Sequence, residues 1–109
     1  MKVKEKGNTV VIKKSSESIE EFENKVKEQY TSYIDQNIVI DLYDEEEVRP
    51  STLIPFEELA QQHISQRKSF VIVASVDFDE MDDAMIVVPT LQEAFDIIEM
   101  EEIERDLGF

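Results

Sequence analysis

Residues 45–59, "EEEVRPSTLIPFEEL", place two adjacent hydroxyls, Ser51 and Thr52, directly after Arg49-Pro50 and directly before a helix-like pattern. A hydroxyl at that point can do one of two things. It can cap the helix by accepting a hydrogen bond from an orphan N–H of the first turn, with Pro55 tolerated within that turn. It can also carry a phosphoryl group, which at a helix start meets free N–H donors and the positive end of the macrodipole. Phosphate on Ser51 or Thr52 would add negative charge beside Glu45, Glu46 and Glu47, where a partner could sense it. The local pattern leaves both readings open.

Other residue types point to chemistry less completely. In "SVDFDEMDDAM", residues 75–85, Asp77 and Asp79 fit the first step of the Asp-x-Asp nucleophile motif of haloacid-dehalogenase-like phosphatases. That gives an enzymatic alternative, a small magnesium-dependent phosphatase. Its chemistry also needs a downstream lysine, and no lysine follows Asp83. The same carboxylates suit calcium as hard ligands, but the central glycine and the bidentate glutamate of a calcium loop are missing at the required spacing. The segment reads as an acidic surface loop joining two strands.

Glu57 and Glu58 are adjacent on a helix, so their side chains diverge by about 100° and do not converge as a glycosidase pair does. Glycine occurs only at positions 7 and 108, which leaves no Gly-rich phosphate loop. The one histidine, His63, lies on the apolar side of its helix with Ala60 and Ile64 and reads as a half-buried packing residue. No Cys, Ser or metal partner stands at the spacing of a triad. Cysteine is absent, so disulfides, thiolate catalysis and Cys-ligated zinc are excluded. The expectation is a chain with no catalytic residue, no metal site and no cofactor.

Charge narrows the partners. With 26 acids against 11 bases the formal net charge is −15, a field that repels nucleic acid and anionic membranes. Two lysine patches, Lys2–Lys6 and Lys13-Lys14, are too small to reverse it. A protein with a basic face is the macromolecular partner that this surface suits; the bland alternative is that the acids only keep the chain soluble. No apolar run approaches the roughly 20 residues of a membrane span, and "MKVKEKGN" lacks a signal-peptide core, so a cytoplasmic location is expected. A monomer or weak homodimer is expected, with an apolar strand edge or Phe78 as a possible contact.

The elements that must position these residues follow from periodicity. A length of 109 residues fits one domain, residues 1–109, with a real core. "VKEKGNTVVIKK" reads as a hairpin turning at Gly7-Asn8. Ser18 with Glu21 forms a capping-box pattern, and Ile19, Phe22, Val26, Tyr30 and Tyr33 then make one apolar stripe. "NIVIDLY", residues 37–43, is apolar on both faces and reads as a central strand. A second helix carries Phe56, Leu59, Ala60, His63 and Ile64 on one face and closes at "SQRKS". "FVIVAS", residues 70–75, reads as a buried parallel strand, and "MIVVP", residues 85–89, as another. Thr90 with Glu93 opens the last helix, whose stripe is Leu91, Ala94, Phe95, Ile98 and Ile103, and Gly108 ends it. The order β-β-α-β-α-β-β-α predicts an α/β sandwich with a mostly parallel sheet of four or five strands and helices packed on it.

Opening strands, a helix, "NIVIDL", a Ser/Thr pair at a helix start, a helix of about four turns and "SFVIVAS" together resemble a STAS domain. This is the domain shared by anti-sigma factor antagonists and sulfate transporter tails. The ending "VVPTLQEAFDII" is similar to that family's last strand and final helix, which opens Thr/Ser-x-x-Glu-Ala. The resemblance covers most of the chain and implies a STAS-like fold in a bacterial, non-enzymatic regulatory module. In antagonists of this family the loop before the second helix reads Asp-Ser/Thr-Ser-Gly-Leu, and its second hydroxyl is phosphorylated by a kinase that also binds the sigma factor. Carried onto this sequence, Thr52 is the implied phosphoacceptor and Ser51 its neighbour. Pro50 stands where the family has Asp, and Leu53 where it has Gly. The implied partner is an anti-sigma factor or kinase-like protein, contacted through Arg49, Pro50, Ser51, Thr52, Leu53, Ile54, Glu57 and Glu58.

Overall fold

The computed structural model of the chain describes residues 1–45, 48–76 and 85–108. Asp77, Asp79, Phe78 and the Glu46-Glu47 pair lie outside them. Gly7 takes φ 59°, a left-handed value that a side chain disfavours, and so turns the chain within two residues. The turn fixes the antiparallel register of β1 (Lys2–Lys6) on β2 (Thr9–Lys13), from Lys6 opposite Thr9 to Lys2 opposite Lys13. β2, β3 (Asn37–Asp41), β4 (Phe70–Val73) and β5 (Ile86–Val88) are mutually parallel, and the sheet order is β1-β2-β3-β4-β5. The expected element order is the one found among the described residues.

Each of the first two crossovers steps one strand in the same direction, so connections of one hand lie on one face of the sheet. That face is covered by α1 (Ile19–Gln29) and by a helical segment over 50–65. Val10, Ile12, Ile38, Ile40, Phe70 and Ile72 point into this core and meet Phe22, Val26, Leu53 and Phe56. The alternate strand residues, Val39, Val71, Val73 and Val88, face the other way and pack on Ala94 and Ile98 of α4 (Leu91–Asp106). β3, apolar on both sides, is the middle strand as its sequence predicts.

Both capping boxes supply their forward arm. Ser18 Oγ accepts the Glu21 N–H at 3.1 Å, and Thr90 Oγ1 accepts that of Glu93 at 3.2 Å. Gly108, at φ 84°, follows the end of α4, as expected. Two apolar stripes are narrower than their sequence spacing predicts. Ile64 is 42% exposed, because Phe56, Leu59, Ala60 and His63 already fill the i, i+3, i+4, i+7 face and the helix ends at Ser65. Leu91 and Ile103 are also exposed, at 36% and 53%. α4 has 16 residues and spans about 24 Å. The strands beneath have three to five residues and span about 10–17 Å. Both ends of the helix therefore overhang the sheet.

Its C-terminal half is tied down by polar groups instead. Asn37, almost fully buried at the start of β3, accepts the Ser69 N–H at 2.9 Å through Oδ1 and donates to Glu102 at 2.8 Å through Nδ2. Arg105 donates to Ser69 Oγ at 3.2 Å and to Asn37 Oδ1 at 3.3 Å. One side-chain amide thus joins the starts of two neighbouring strands to the last helix.

Candidate protein-interaction site

The helical segment after β3 is not one continuous helix. It is a single α turn, α2 (Pro50–Leu53), then a 3₁₀ turn at Ile54–Phe56, then α3 (Glu57–Ser65). Pro55 causes the break: it has no N–H to give to the Ser51 carbonyl, so the α ladder lapses for a turn. Glu57 restores pairing by donating its N–H to Ile54 O.

Pro50 decides where the hydroxyls fall. The residue before a proline is driven to extended backbone, and Arg49 takes φ −102°, ψ 155°. Arg49 is therefore the N-cap and Pro50 the first helical residue, a position where its missing N–H is not needed. Ser51 and Thr52 sit inside the turn, and no side-chain cap hydrogen bond forms. The capping reading of these two hydroxyls is corrected: Pro50 fixes the cap at Arg49, two residues before Ser51, so both hydroxyls fall past the capping position. Thr52 instead donates its own backbone N–H to Arg49 O at 2.9 Å. Replacing Thr52 with alanine is expected to change stability by less than about 0.5 kcal/mol. Ser18→Ala, which removes a formed cap, is expected to cost about 1 kcal/mol. Urea denaturation of the two variants side by side checks this, and a Thr52→Ala loss matching that of Ser18→Ala would count against it.

The surface residues of the segment separate sharply by burial. Arg49, Ser51, Ile54 and Glu58 are exposed, Pro50, Thr52 and Glu57 half-buried. Leu53 has no exposed surface and packs with Phe56 in the main core. Its expected place on a partner surface is corrected accordingly: the turn points Leu53 into the core and leaves Ile54 in solvent. Ile54 is 59% exposed, an apolar side chain standing among polar and charged ones.

The neighbouring acids are partly spoken for. Lys13 pairs with Asp44 at 2.8 Å and Lys14 with Glu45 at 2.6 Å, joining the end of β2 to the loop after β3. The hydrogen bond to Asp44, and its charge, hold the Lys13 ammonium above its ordinary pKa. Asp41 is buried and caps its own turn by accepting the Tyr43 N–H at 3.0 Å. Tyr43 stands 64% exposed on this rim.

His63 is not half-buried, as its spacing predicted, but wholly enclosed. Its Nδ1 lies 2.7 Å from the Tyr30 hydroxyl and its Nε2 2.6 Å from the Gln36 carbonyl. A carbonyl can only accept, so Nε2 carries the proton and Nδ1 takes that of Tyr30. The ring also meets Tyr30 and Phe70 edge-to-face. Burial pushes the His63 pKa down, opposed by the bond to Gln36, and pushes that of Tyr30 up. Sealed from solvent with both nitrogens satisfied, His63 is a structural group. The i, i+33 pairing with Tyr30 leaves no local signal in the sequence.

Among the described residues no group of three or more His, Cys, Asp or Glu is arranged to hold a metal ion. No helix among them is long and apolar enough to cross a membrane. No protein-family model matches the chain, nor does any curated protein. Function must be read from the geometry of the surface.

Proposed function

We propose that the chain is a non-enzymatic, STAS-like regulatory module that binds a protein partner through the turn from Arg49 to Glu58. The observation that carries this reading is the contrast between Leu53 and Ile54. Leu53 anchors the turn in the core, and Ile54, next in sequence, projects into solvent beside the exposed Ser51. A rigid base under one apolar side chain with charged neighbours is what a small protein contact needs at its centre. A mixed, mostly parallel sheet with this turn after its middle strand is compatible with the α/β fold that the resemblance implies. Thr52 and Ser51 are the phosphoacceptor candidates: phosphate there would sit between Arg49 and Ile54 and change the charge of the contact. The partner class is an anti-sigma factor or kinase-like protein, or another with a basic face.

Affinity purification of the full chain from its native cells, with phosphopeptide mapping of residues 49–58, tests both parts. A partner retained by the native chain and lost from Ile54→Asp and Thr52→Glu is expected, with phosphate on Thr52 or Ser51. Equal retention by all three proteins overturns the surface. An unmodified, well-covered peptide across growth conditions overturns the switch.

A further inference from the structure

The two lysine patches that are separate in the sequence form one surface in the fold. The β1–β2 register sets Lys2 opposite Lys13, Lys4 opposite Val11 and Lys6 opposite Thr9. Val11 belongs to the α4 side of the sheet, so Lys2, Lys4, Lys6 and Lys13 project to that side together. α4 covers β3 to β5 and leaves this corner open. Between them lies a groove of about 560 Å³, floored by Val11, walled by Phe95 and Leu91 of α4 and bordered by Glu5 and by Asp41, whose carboxylate is buried and already accepts the Tyr43 N–H. Lys6 Nζ lies 4.5 Å from the centre of the Phe95 ring, which holds that ammonium over the groove. Lys13 is paired with Asp44; among the described residues Lys2, Lys4 and Lys6 make no ion pair.

β1 is also the edge of the sheet, and all five of its residues are exposed. Lysines on an edge strand ordinarily serve to prevent pairing. That role does not require them all on one face above an apolar groove. Their alternation makes the edge selective. A second copy pairing antiparallel about Lys4 would set Lys2 against Lys6 and Lys4 against Lys4, like charges directly opposed. The net charge of −15 repels nucleic acid, anionic lipid and an acidic segment alike at long range, so the occupant is selected at short range, where only an extended strand pairs with the open backbone edge of β1. A strand with carboxylates at every second residue meets each lysine with its opposite charge, and its other, uncharged face meets Val3, itself 41% exposed, and Glu5, beside which a further carboxylate would be repelled.

We propose that β1 and the lysine groove accept an extended acidic segment of another protein as a sixth strand, with acids at alternate positions. This surface lies on the opposite face of the sheet from Leu53 and its turn, and its occupancy does not depend on Ser51 or Thr52.

A fluorescein-labelled peptide alternating glutamate and valine, titrated with the full chain at low and moderate salt, tests it by anisotropy. The alternating peptide is expected to bind, more weakly as salt rises, and to slow amide exchange in β1. Lys2→Gln with Lys4→Gln should weaken it roughly fivefold to tenfold, two exposed ion pairs being lost. The same charge change at the exposed Lys25 and Lys27 of α1 should leave it within about twofold. The four lysines are surface groups, so circular dichroism should show both double variants folded. A peptide of the same composition with its glutamates in one block should bind less tightly. Equal effects of the two double variants, equal binding of the block peptide, or preference for single-stranded DNA or phosphatidylserine vesicles would overturn the proposal.

Discussion

Leu53→Asp should abolish folding, and Ile54→Asp, one residue on, should not. Leu53 is completely enclosed beside Phe56 in the main core, against the sheet. A carboxylate there has no described basic partner. It must stay charged in an apolar site, take up a proton at a cost, or expose the core. Removing the leucine side chain alone forfeits about 2–5 kcal/mol. With the polar penalty added, the loss is comparable to the whole stability of a domain this size, about 5–15 kcal/mol. Ile54 is more than half exposed, and its replacement should change stability by less than about 0.5 kcal/mol. Circular dichroism and urea denaturation of the pair give the answer directly. A cooperatively folded Leu53→Asp with near-native midpoint would show that the turn does not sit as described. The comparison also governs how the binding surface is tested: loss of a partner in a Leu53 variant reports unfolding, and in an Ile54 variant it reports contact.

His63→Ala is the second large effect expected. The substitution removes a ring that fills a sealed site between Tyr30 and Phe70 and strands the Tyr30 hydroxyl and the Gln36 carbonyl without partners. A cavity of that size together with two unpaired polar groups should cost about 3–5 kcal/mol. Tyr30→Phe keeps the packing and unpairs only Nδ1, so about 1–3 kcal/mol is expected. The same site gives a pH dependence. Burial lowers the folded-state pKa of His63 below the ordinary value of about 6.5. The unfolded chain therefore binds the proton more readily, and stability rises with pH through this window. The contribution of neutral His63 is complete above about pH 6.5 and is lost as pH falls toward the lowered folded value. Denaturation midpoints across that range should fall with acid in the native chain. Relative to native, the midpoint of a folded His63 variant, such as His63→Gln, should be less sensitive to acid. Parallel curves for the two would remove His63 as the cause.

Much of the fold is legible in the sequence because its causes are local. Gly7-Asn8 can turn a hairpin in two residues, Ser18 and Thr90 sit three residues before a glutamate whose N–H they accept, and "NIVIDLY" is apolar at both parities. Periods of 2 and 3.6 then fix which side chains face the sheet, and the crossover rule fixes the side on which the helices lie. The periodic reading erred at Leu91 and Ile103 through length, because a stripe does not record how far the sheet beneath it extends, and at Ile64 because Phe56, Leu59, Ala60 and His63 already fill the inner face.

At the candidate site the sequence determined the residues but not their roles. "RPST" identifies a helix start, and only the backbone places Arg49 at the cap and the two hydroxyls past it. Leu53 and Ile54 are interchangeable as apolar neighbours; the 3₁₀ turn at Pro55 aims one inward and the other out. Charge composition correctly describes an acidic chain, yet a net charge carries no positions, and strand pairing gathers Lys2, Lys4, Lys6 and Lys13 on one corner. His63 meets Tyr30 and Gln36 across 33 and 27 residues of sequence. Local propensity acts over a few residues and is written in the sequence; contacts across such separations exist only once the sheet has closed and brought distant elements together.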